Sequence, residues 1–134
     1  RRLMRRPAKI LIVDDEVNLL QSLSDVLKRK GYSVATAHNG LEALGKLKER
    51  YFNVAIVDLK MPKMGGMELL EMIKERYPQT LVVILTGYGT IKSAVDAMKK
   101  GAHSYLIKPF CLDEIILITN RNLWPCIHIY QYGV

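Results

Sequence analysis

Three carboxylates, one hydroxyl and one ammonium group stand directly after short apolar runs of this sequence. These residues are Asp14, Asp15, Asp58, Thr86 and Lys108. Clustered carboxylates repel one another unless a cation joins them, and an incomplete set of oxygen ligands suits Mg²⁺, which keeps several waters and bridges readily to phosphate. In such a setting an aspartate can attack a phosphoryl group and form an acyl phosphate, while a lysine and a hydroxyl hold the phosphoryl oxygens.

The apolar runs that precede these groups are predicted to be strands. Residues 9–13 and 53–57 are apolar on both faces, which is typical of central strands that helices cover on both sides. The predicted strands are residues 9–13, 32–37, 53–57, 80–85 and 103–107, and the predicted helices are residues 17–30, 41–51, 66–77, 90–100 and 112–122. In the fourth helix, the residues expected to point inward are Ile91, Ala94, Val95 and Met98.

Alternation of strands and helices predicts one α/β domain with a parallel sheet, because each strand needs a crossover helix before the next can run in the same direction. The carboxyl ends of parallel strands lie along one edge of the sheet, and ligands of open α/β sheets bind there. We therefore expect the five polar groups to converge in one cleft.

The composition fits a soluble globular protein. The chain has 134 residues, of which 49% are hydrophobic and 25% are charged. No apolar run approaches the roughly 20 residues that span a bilayer, and no signal peptide is evident, so no membrane partner is expected. Cys111 and Cys126 are too few for a disulfide scaffold, and we interpret them as unpaired thiols of a cytoplasmic protein.

The two ends of the chain differ from the rest. Four arginines within residues 1–8 contribute to the net charge of +7, and we interpret this segment as a solvated, disordered basic leader rather than a nucleic-acid-binding arm. Pro125 cannot continue a helix, so residues 123–134 form an atypical tail. We favour a vector-derived or frame-shifted tail over a native extension that packs on a partner, and we place the folded domain at residues 9–122.

The motifs, taken in order, resemble those of a response-regulator receiver domain of two-component signalling. The matching segments are residues 12–16 (IVDDE), 57–62 (VDLKMP), 65–66 (GG), 86–87 (TG) and 105–110 (YLIKPF). This resemblance implies the flavodoxin-like fold of the chemotaxis regulator, a doubly wound five-stranded parallel sheet with strand order 2-1-3-4-5. Residues 86–90 (TGYGT) and 97–102 (AMKKGA) further resemble receivers of the nitrogen-regulation (NtrC) class, which are usually fused to sigma-54-activating ATPases.

The resemblance implies a role for each matched residue. Asp58 would be the phosphoacceptor, and Lys108 would contact the phosphoryl group and precede a cis bond to Pro109. The Mg²⁺ ligands would be Asp14, Asp15 as the direct ligand, Asp58 and the backbone carbonyl of Lys60. Thr86 would move toward the phosphoryl group and Tyr105 would change rotamer, so that together they act as a two-state switch.

The same resemblance implies partners. A sensor histidine kinase would donate the phosphoryl group from a phosphohistidine, and the domain would help to catalyse the transfer and the later hydrolysis without being a metabolic enzyme. The signal would leave through the face of the fourth helix, fifth strand and fifth helix, at about residues 90–117, often by homodimerisation. Control of transcription, and any contact with DNA, would be indirect and would need an output domain that is not present in this sequence.

Two alternative functions stay open at this stage. A phosphohydrolase of the haloacid-dehalogenase type also uses an aspartate nucleophile, but Lys60 stands where its usual second aspartate would be. The other alternative is a receiver-like interaction module that is never phosphorylated. The intact set of five polar residues argues against it.

Overall fold

The computed structural model describes residues 8–123, and the side chains of residues 8–119. The strands of this part of the chain are β1 (Lys9–Val13), β2 (Ser33–Ala37), β3 (Val54–Val57), β4 (Leu81–Thr86) and β5 (Ser104–Ile107). The helices are α1 (Val17–Arg29), α2 (Gly40–Glu49), α3 (Gly66–Arg76), α4 (Ile91–Lys99) and α5 (Leu112–Leu123). Every element lies within two residues of its predicted bounds. Residues 1–7 of the predicted leader and residues 124–134 of the predicted tail lie outside the described residues.

The strands form one parallel sheet in the order β2-β1-β3-β4-β5, as the resemblance implied. β1, β3 and β4 are interior strands and are almost entirely buried, whereas β2 and β5 form the two edges and are more exposed. Strand order reverses between β1 and β3, so the residues that follow these two strands lie where open α/β sheets bind ligands.

Alternate residues of the central strands build two hydrophobic cores. Leu11 and Val13 face the side of the sheet covered by α2 and α3, and Ile10 and Ile12 face the side covered by α1 and α5. Each fully buried aliphatic side chain of this size contributes about 1.5–3 kcal/mol of transfer free energy. Packing on both faces therefore holds the carboxyl ends of β1 and β3 on a rigid support. None of the helices in the described part of the chain is long and apolar enough to cross a membrane.

The prediction that α4 turns its apolar residues inward was wrong. Ile91, Val95 and Met98 are 85%, 46% and 48% exposed, and Ala97 is the buried residue of this helix. The spacing correctly indicates an amphipathic helix, but α4 packs on the sheet through its small residues, with Ala94 partly buried. The larger apolar side chains consequently remain at the surface.

Gly66 adjoins the turn that follows Asp58. The Gly66 N–H donates to the Leu59 carbonyl over 2.9 Å, and a β-carbon at position 66 would overlap the backbone oxygen of Asp58. Helix α3 therefore begins so close to the end of β3 that only glycine fits there.

We expect Gly66→Ala to destabilise the protein by about 1–3 kcal/mol, because the added methyl group must displace the turn after Asp58. This loss should outweigh the helix-propensity gain of alanine, which is about 1 kcal/mol. Gly45→Ala is the matched control, since a β-carbon there meets no atom within 4 Å, and it should stabilise α2 by up to about 1 kcal/mol. Urea unfolding followed by circular dichroism measures both changes. Equal stability of the two variants would contradict the close approach at Gly66.

Candidate functional site

The structure brings the five predicted site residues to one edge of the sheet. Asp14 directly follows β1, Asp58 follows β3, Thr86 is the last residue of β4, and Lys108 follows β5. A cleft of about 510 Å³ opens here, and it is lined by Asp14, Asp15, Glu16, Asp58, Lys60, Met61, Tyr88 and Lys108. Four of the five predicted residues therefore converge in one cleft as expected, whereas Thr86 is fully buried and does not line it.

Three carboxylates of this cleft form a compact oxygen cluster. One oxygen from each of Asp14, Asp15 and Asp58 lies within 4.8 Å of the others. Asp14 and Asp58 are buried and Asp15 is exposed, so the cluster opens toward solvent on one side. Hard divalent cations prefer carboxylate and carbonyl oxygens and retain waters in their open positions, and this donor set fits such an ion.

Lys108 supplies the positive charge nearest to the carboxylates. Its Nζ donates to Asp14 Oδ2 over 2.8 Å, and it lies 3.5 Å from Glu16 Oε1 and 3.9 Å from Asp58 Oδ1. Burial is the largest single effect on the pKa of Lys108 and lowers it, but the combined attraction of Asp14, Asp58 and Glu16 raises the pKa above its usual value. The ammonium group is therefore firmly charged and held closest to Asp14. The peptide bond between Lys108 and Pro109 is cis, as expected.

Asp58 carries a buried oxygen that has no hydrogen-bond partner. Its side chain is 4% exposed, and among the described residues its Oδ1 is the buried side-chain polar atom that lacks a hydrogen bond. Burial raises the pKa of the Asp58 carboxyl most, repulsion from Asp14 raises it further, and Lys108 and the Thr86 hydroxyl lower it only in part. Such an atom needs a cation, a proton or a covalent partner to be stable.

Thr86 and Tyr105 are linked to the loop that joins β4 to α4. The fully buried Thr86 accepts a hydrogen bond at Oγ from the Tyr88 N–H over 3.1 Å. The Tyr105 hydroxyl is hydrogen-bonded to the hydroxyl of Ser93 in α4, and a β-carbon on Gly89 would lie 3.0 Å from the Tyr105 oxygen. Tyr105 is thus held against α4 and the loop rather than beside Asp58.

The side chain of Lys60 lies at the rim of the cleft. Its Nζ is 4.9 Å from the centroid of the Tyr88 ring, which is within the range of a cation–π contact. This pair joins the loop after β3 to the loop after β4 above the carboxylate cluster. The role expected for the Lys60 carbonyl as a metal ligand stays a prediction.

Sequence reasoning assigned no role to three residues of this region. Glu16 lines the cleft and contacts Lys108, Tyr88 pairs with Lys60, and Ser93 holds Tyr105. Glu16 directly follows the two aspartates of one motif, which is a signal that could have been used. The contacts of Tyr88 and Ser93 depend on how the loop folds, and no spacing in the sequence indicates them.

This sheet order, together with an acidic cluster and a lysine at its carboxyl edge, defines a receiver domain. The family model for the response regulator receiver domain matches residues 10–120, and the chain belongs to this family. Neither the dehalogenase-type phosphohydrolase nor the phosphorylation-independent module is supported by the comparisons.

The relatives of the chain are response regulators of the NtrC class. The chain is 41% identical over 114 residues to the transcriptional regulatory protein ZraR of Klebsiella oxytoca, covering 85% of this chain and 26% of that protein. It superposes on a CheY-like receiver domain from Methanospirillum hungatei with a TM-score of 0.83 and 33% identity, covering 87% of this chain and 94% of the other. It matches the beryllofluoride-activated NtrC4 receiver domain dimer with a TM-score of 0.80 and 38% identity, covering 86% and 95%. The chain spans about a quarter of the length of the curated relatives it matches.

We expect Asp58→Asn to stabilise the metal-free protein at neutral pH, by on the order of 1 kcal/mol, because a neutral amide avoids the cost of an ionised carboxylate beside Asp14. The raised pKa means that folded Asp58 binds its proton more tightly than unfolded Asp58. The advantage of asparagine should therefore be full above the folded-state pKa and vanish as the pH falls below the unfolded-state pKa, about 3.9.

Urea unfolding in a chelating buffer, from neutral to acid pH, measures this difference. Added Mg²⁺ should stabilise the parent protein more than the variant, because the variant lacks one anionic ligand. Asp25→Asn, an exposed aspartate on α1, is the matched control and should change stability by less than about 0.5 kcal/mol. A variant less stable than the parent at neutral pH without metal would refute the charge strain at Asp58.

Proposed function

We propose that the chain is the phosphoacceptor unit of a two-component response regulator, that Asp58 is the acceptor, and that the donor is the phosphohistidine of a sensor histidine kinase. The observation that carries this proposal is the buried Oδ1 of Asp58, which lies in the acidic cluster, 3.9 Å from the Lys108 ammonium group, and accepts no hydrogen bond. A nucleophile needs a free lone pair, and this oxygen has one at the floor of an open cleft.

In the transfer, the Asp58 oxygen forms a bond to phosphorus while the phosphorus–nitrogen bond of the phosphohistidine breaks and the electron pair stays on the imidazole. Asp14, Asp15, Asp58 and the carbonyl of Lys60 would hold Mg²⁺. When bound, Mg²⁺ supplies positive charge that offsets the repulsion between the acids and the incoming phosphoryl oxygens. The same residues would support the later hydrolysis, in which water takes the phosphoryl group from Asp58.

Lys108 would change partner during the reaction. It lies 2.8 Å from Asp14 and 3.9 Å from the free oxygen of Asp58, so a small movement brings it to a phosphoryl oxygen bound there. Neutralisation of Asp14 by the metal would release Lys108 for this contact. The lysine would then act as a point charge that holds the transferred group.

The signal would leave the site through Thr86 and Tyr105. The Thr86 hydroxyl would turn toward the phosphoryl group, and its hydrogen bond to the Tyr88 N–H ties this movement to the loop before α4. A shift of this loop would disturb the bond between Ser93 and Tyr105 and favour another arrangement of α4.

The exposed apolar side chains beside Tyr105 are the proposed output surface. Ile91, Val95 and Met98 of α4 and Ile107 of β5 are all exposed, and they would form a homodimer interface in the activated state. Residues 9–122 would form the receiver unit of a cytoplasmic regulator. An output domain outside this sequence would contact DNA and control transcription.

Incubation with Mg²⁺ and acetyl phosphate, followed by intact-mass analysis, tests the acceptor. We expect one phosphoryl group on the parent protein, none on Asp58→Asn, and none on the parent when Mg²⁺ is chelated. Asp96→Asn, a surface aspartate of α4 paired with Lys92, is the matched control and should be modified like the parent.

Two outcomes would overturn this assignment. A folded parent protein that takes up no phosphoryl group would favour an interaction module that works without phosphorylation. Phosphorylation that persists in Asp58→Asn would place the acceptor at another residue.

We further expect beryllofluoride with Mg²⁺ to increase dimerisation, and Ile91→Glu to weaken the activated dimer by about tenfold or more, because a charge would be buried at its centre. Leu41→Glu is the matched control, since Leu41 is 55% exposed on α2, away from the proposed face. Sedimentation equilibrium measures the dissociation constants. If Leu41→Glu had the larger effect, the interface would lie elsewhere.

A further inference from the structure

The outer edge of the sheet at β2 presents backbone groups without strand partners. The Ser33 N–H donates to the Ala8 carbonyl over 3.0 Å, and the Ala37 carbonyl accepts from the Asp14 N–H over 3.1 Å. Because the direction of backbone N–H and C=O groups alternates along a strand, both groups of Val34 and of Thr36 point away from β1. The sheet order leaves β2 with no second neighbouring strand in the described part of the chain.

A cleft of about 350 Å³ runs along this edge between α1 and α2, and its charged walls are basic. Lys28 of α1 lies on one side, and Lys46 of α2 and Arg50, just after α2, lie on the other. No aspartate or glutamate lines the cleft. Within the described side chains, Lys28 and Arg50 form no salt bridge, and the Arg50 guanidinium lies 5.6 Å from the centroid of the Phe52 ring. Lys46 has a longer-range attraction to Glu42.

We propose that this cleft binds an extended acidic segment of another protein, which adds to the sheet as a sixth strand beside β2. The outward N–H and C=O groups of Val34 and Thr36 would supply the ladder hydrogen bonds, as in other strand additions. Successive side chains of a strand point to opposite faces, so acidic side chains of the segment would reach Lys28 on one face and Lys46 and Arg50 on the other.

The charges of the cleft favour this occupant over others. A second copy of the chain, paired edge to edge through β2, would bring two sets of these three cations together and be repelled. Residues 124–134 contain no aspartate or glutamate and so lack the complementary side chains. A single-stranded nucleic acid has the charge but not the alternating peptide donors and acceptors that an open strand edge can pair with.

The competing explanation is that the cations protect the edge. Lysine beside an exposed strand commonly prevents uncontrolled strand pairing, without any partner of its own. The two explanations make different predictions. Cations that only protect the edge would repel other strands, whereas a binding cleft would hold an acidic strand through backbone hydrogen bonds.

Fluorescence anisotropy with the whole chain and a fluorescein-labelled peptide of about eight residues tests the proposal, since two outward residues of β2 can pair with a strand of about that length. The peptide combines consecutive glutamates with valine, so that carboxylates face both walls. Its controls are the same peptide with glutamine for glutamate, the same peptide N-methylated at every backbone amide, and an oligothymidine of equal charge. N-methylation keeps the charge but removes the donors that a strand addition needs.

Variants of the chain separate charge from backbone pairing. Thr36→Pro removes an outward N–H that the sheet does not use, so the fold should be retained, which thermal unfolding checks. A triple variant reverses the charge of both walls: Lys28→Glu, Lys46→Glu and Arg50→Glu. A control triple variant makes the same change in net charge at exposed positions of α3 and α4, outside the cleft: Arg76→Glu, Lys92→Glu and Lys99→Glu.

We expect the acidic peptide to bind the parent chain. Two changes in the chain, Thr36→Pro and charge reversal of the walls, should each weaken binding by about tenfold or more. Two changes in the peptide, N-methylation and the replacement of glutamate by glutamine, should weaken binding by a similar factor. The distant charge reversal should weaken binding less than about threefold at physiological salt. The proposal is overturned if the acidic peptide does not bind, if N-methylation and Thr36→Pro have no effect, or if oligothymidine binds equally well. If the variant with reversed wall charges self-associates and the parent chain does not bind the peptide, the cations serve only to prevent strand pairing at this edge.

Discussion

The buried carboxylate of Asp58, placed between the like charge of Asp14 and the ammonium group of Lys108, is the interaction on which the rest of the structure depends. Three carboxylate oxygens lie within 4.8 Å, and the lysine of the cluster is closer to Asp14 than to Asp58. This arrangement costs folding free energy and persists because the surrounding structure holds it in place. A cation bound among these oxygens would offset their repulsion.

The restraint comes from the two cores that flank the sheet. β1 and β3 are buried on both faces, and the Asp58 N–H donates to the Val13 carbonyl over 2.9 Å, so the ends of the two strands are fixed to each other. Gly66 allows α3 to begin directly against the backbone of Asp58. The backbones of Asp14 and Asp58 are therefore held close together.

The strands and most of the site could be predicted from the sequence, because central parallel strands read as continuous apolar runs and their ends must meet at one edge. The partners of the site residues could not. Lys108 lies 2.8 Å from Asp14 and 3.9 Å from Asp58, and the buried Oδ1 of Asp58 accepts no hydrogen bond. No spacing along the chain encodes these distances. The burial of α4 was predicted wrongly for a related reason. An apolar stripe shows that a helix has two different faces, and only its neighbours in three dimensions decide which face is covered.

The sparse packing of α4 also explains why this helix suits the proposed output surface. Most of the stabilisation of a helix in a protein comes from its buried apolar side, and Ala97 is the buried residue of α4. A small change in free energy at the loop that carries Thr86 and Tyr88 is then enough to favour a different position of the helix. The β2 edge lies across the sheet from β5, which borders α4, at a separation of roughly 19 Å for four strand spacings. A strand bound at β2 would therefore leave the α4 surface accessible, so one receiver domain could engage an acidic partner and a second copy of itself at the same time.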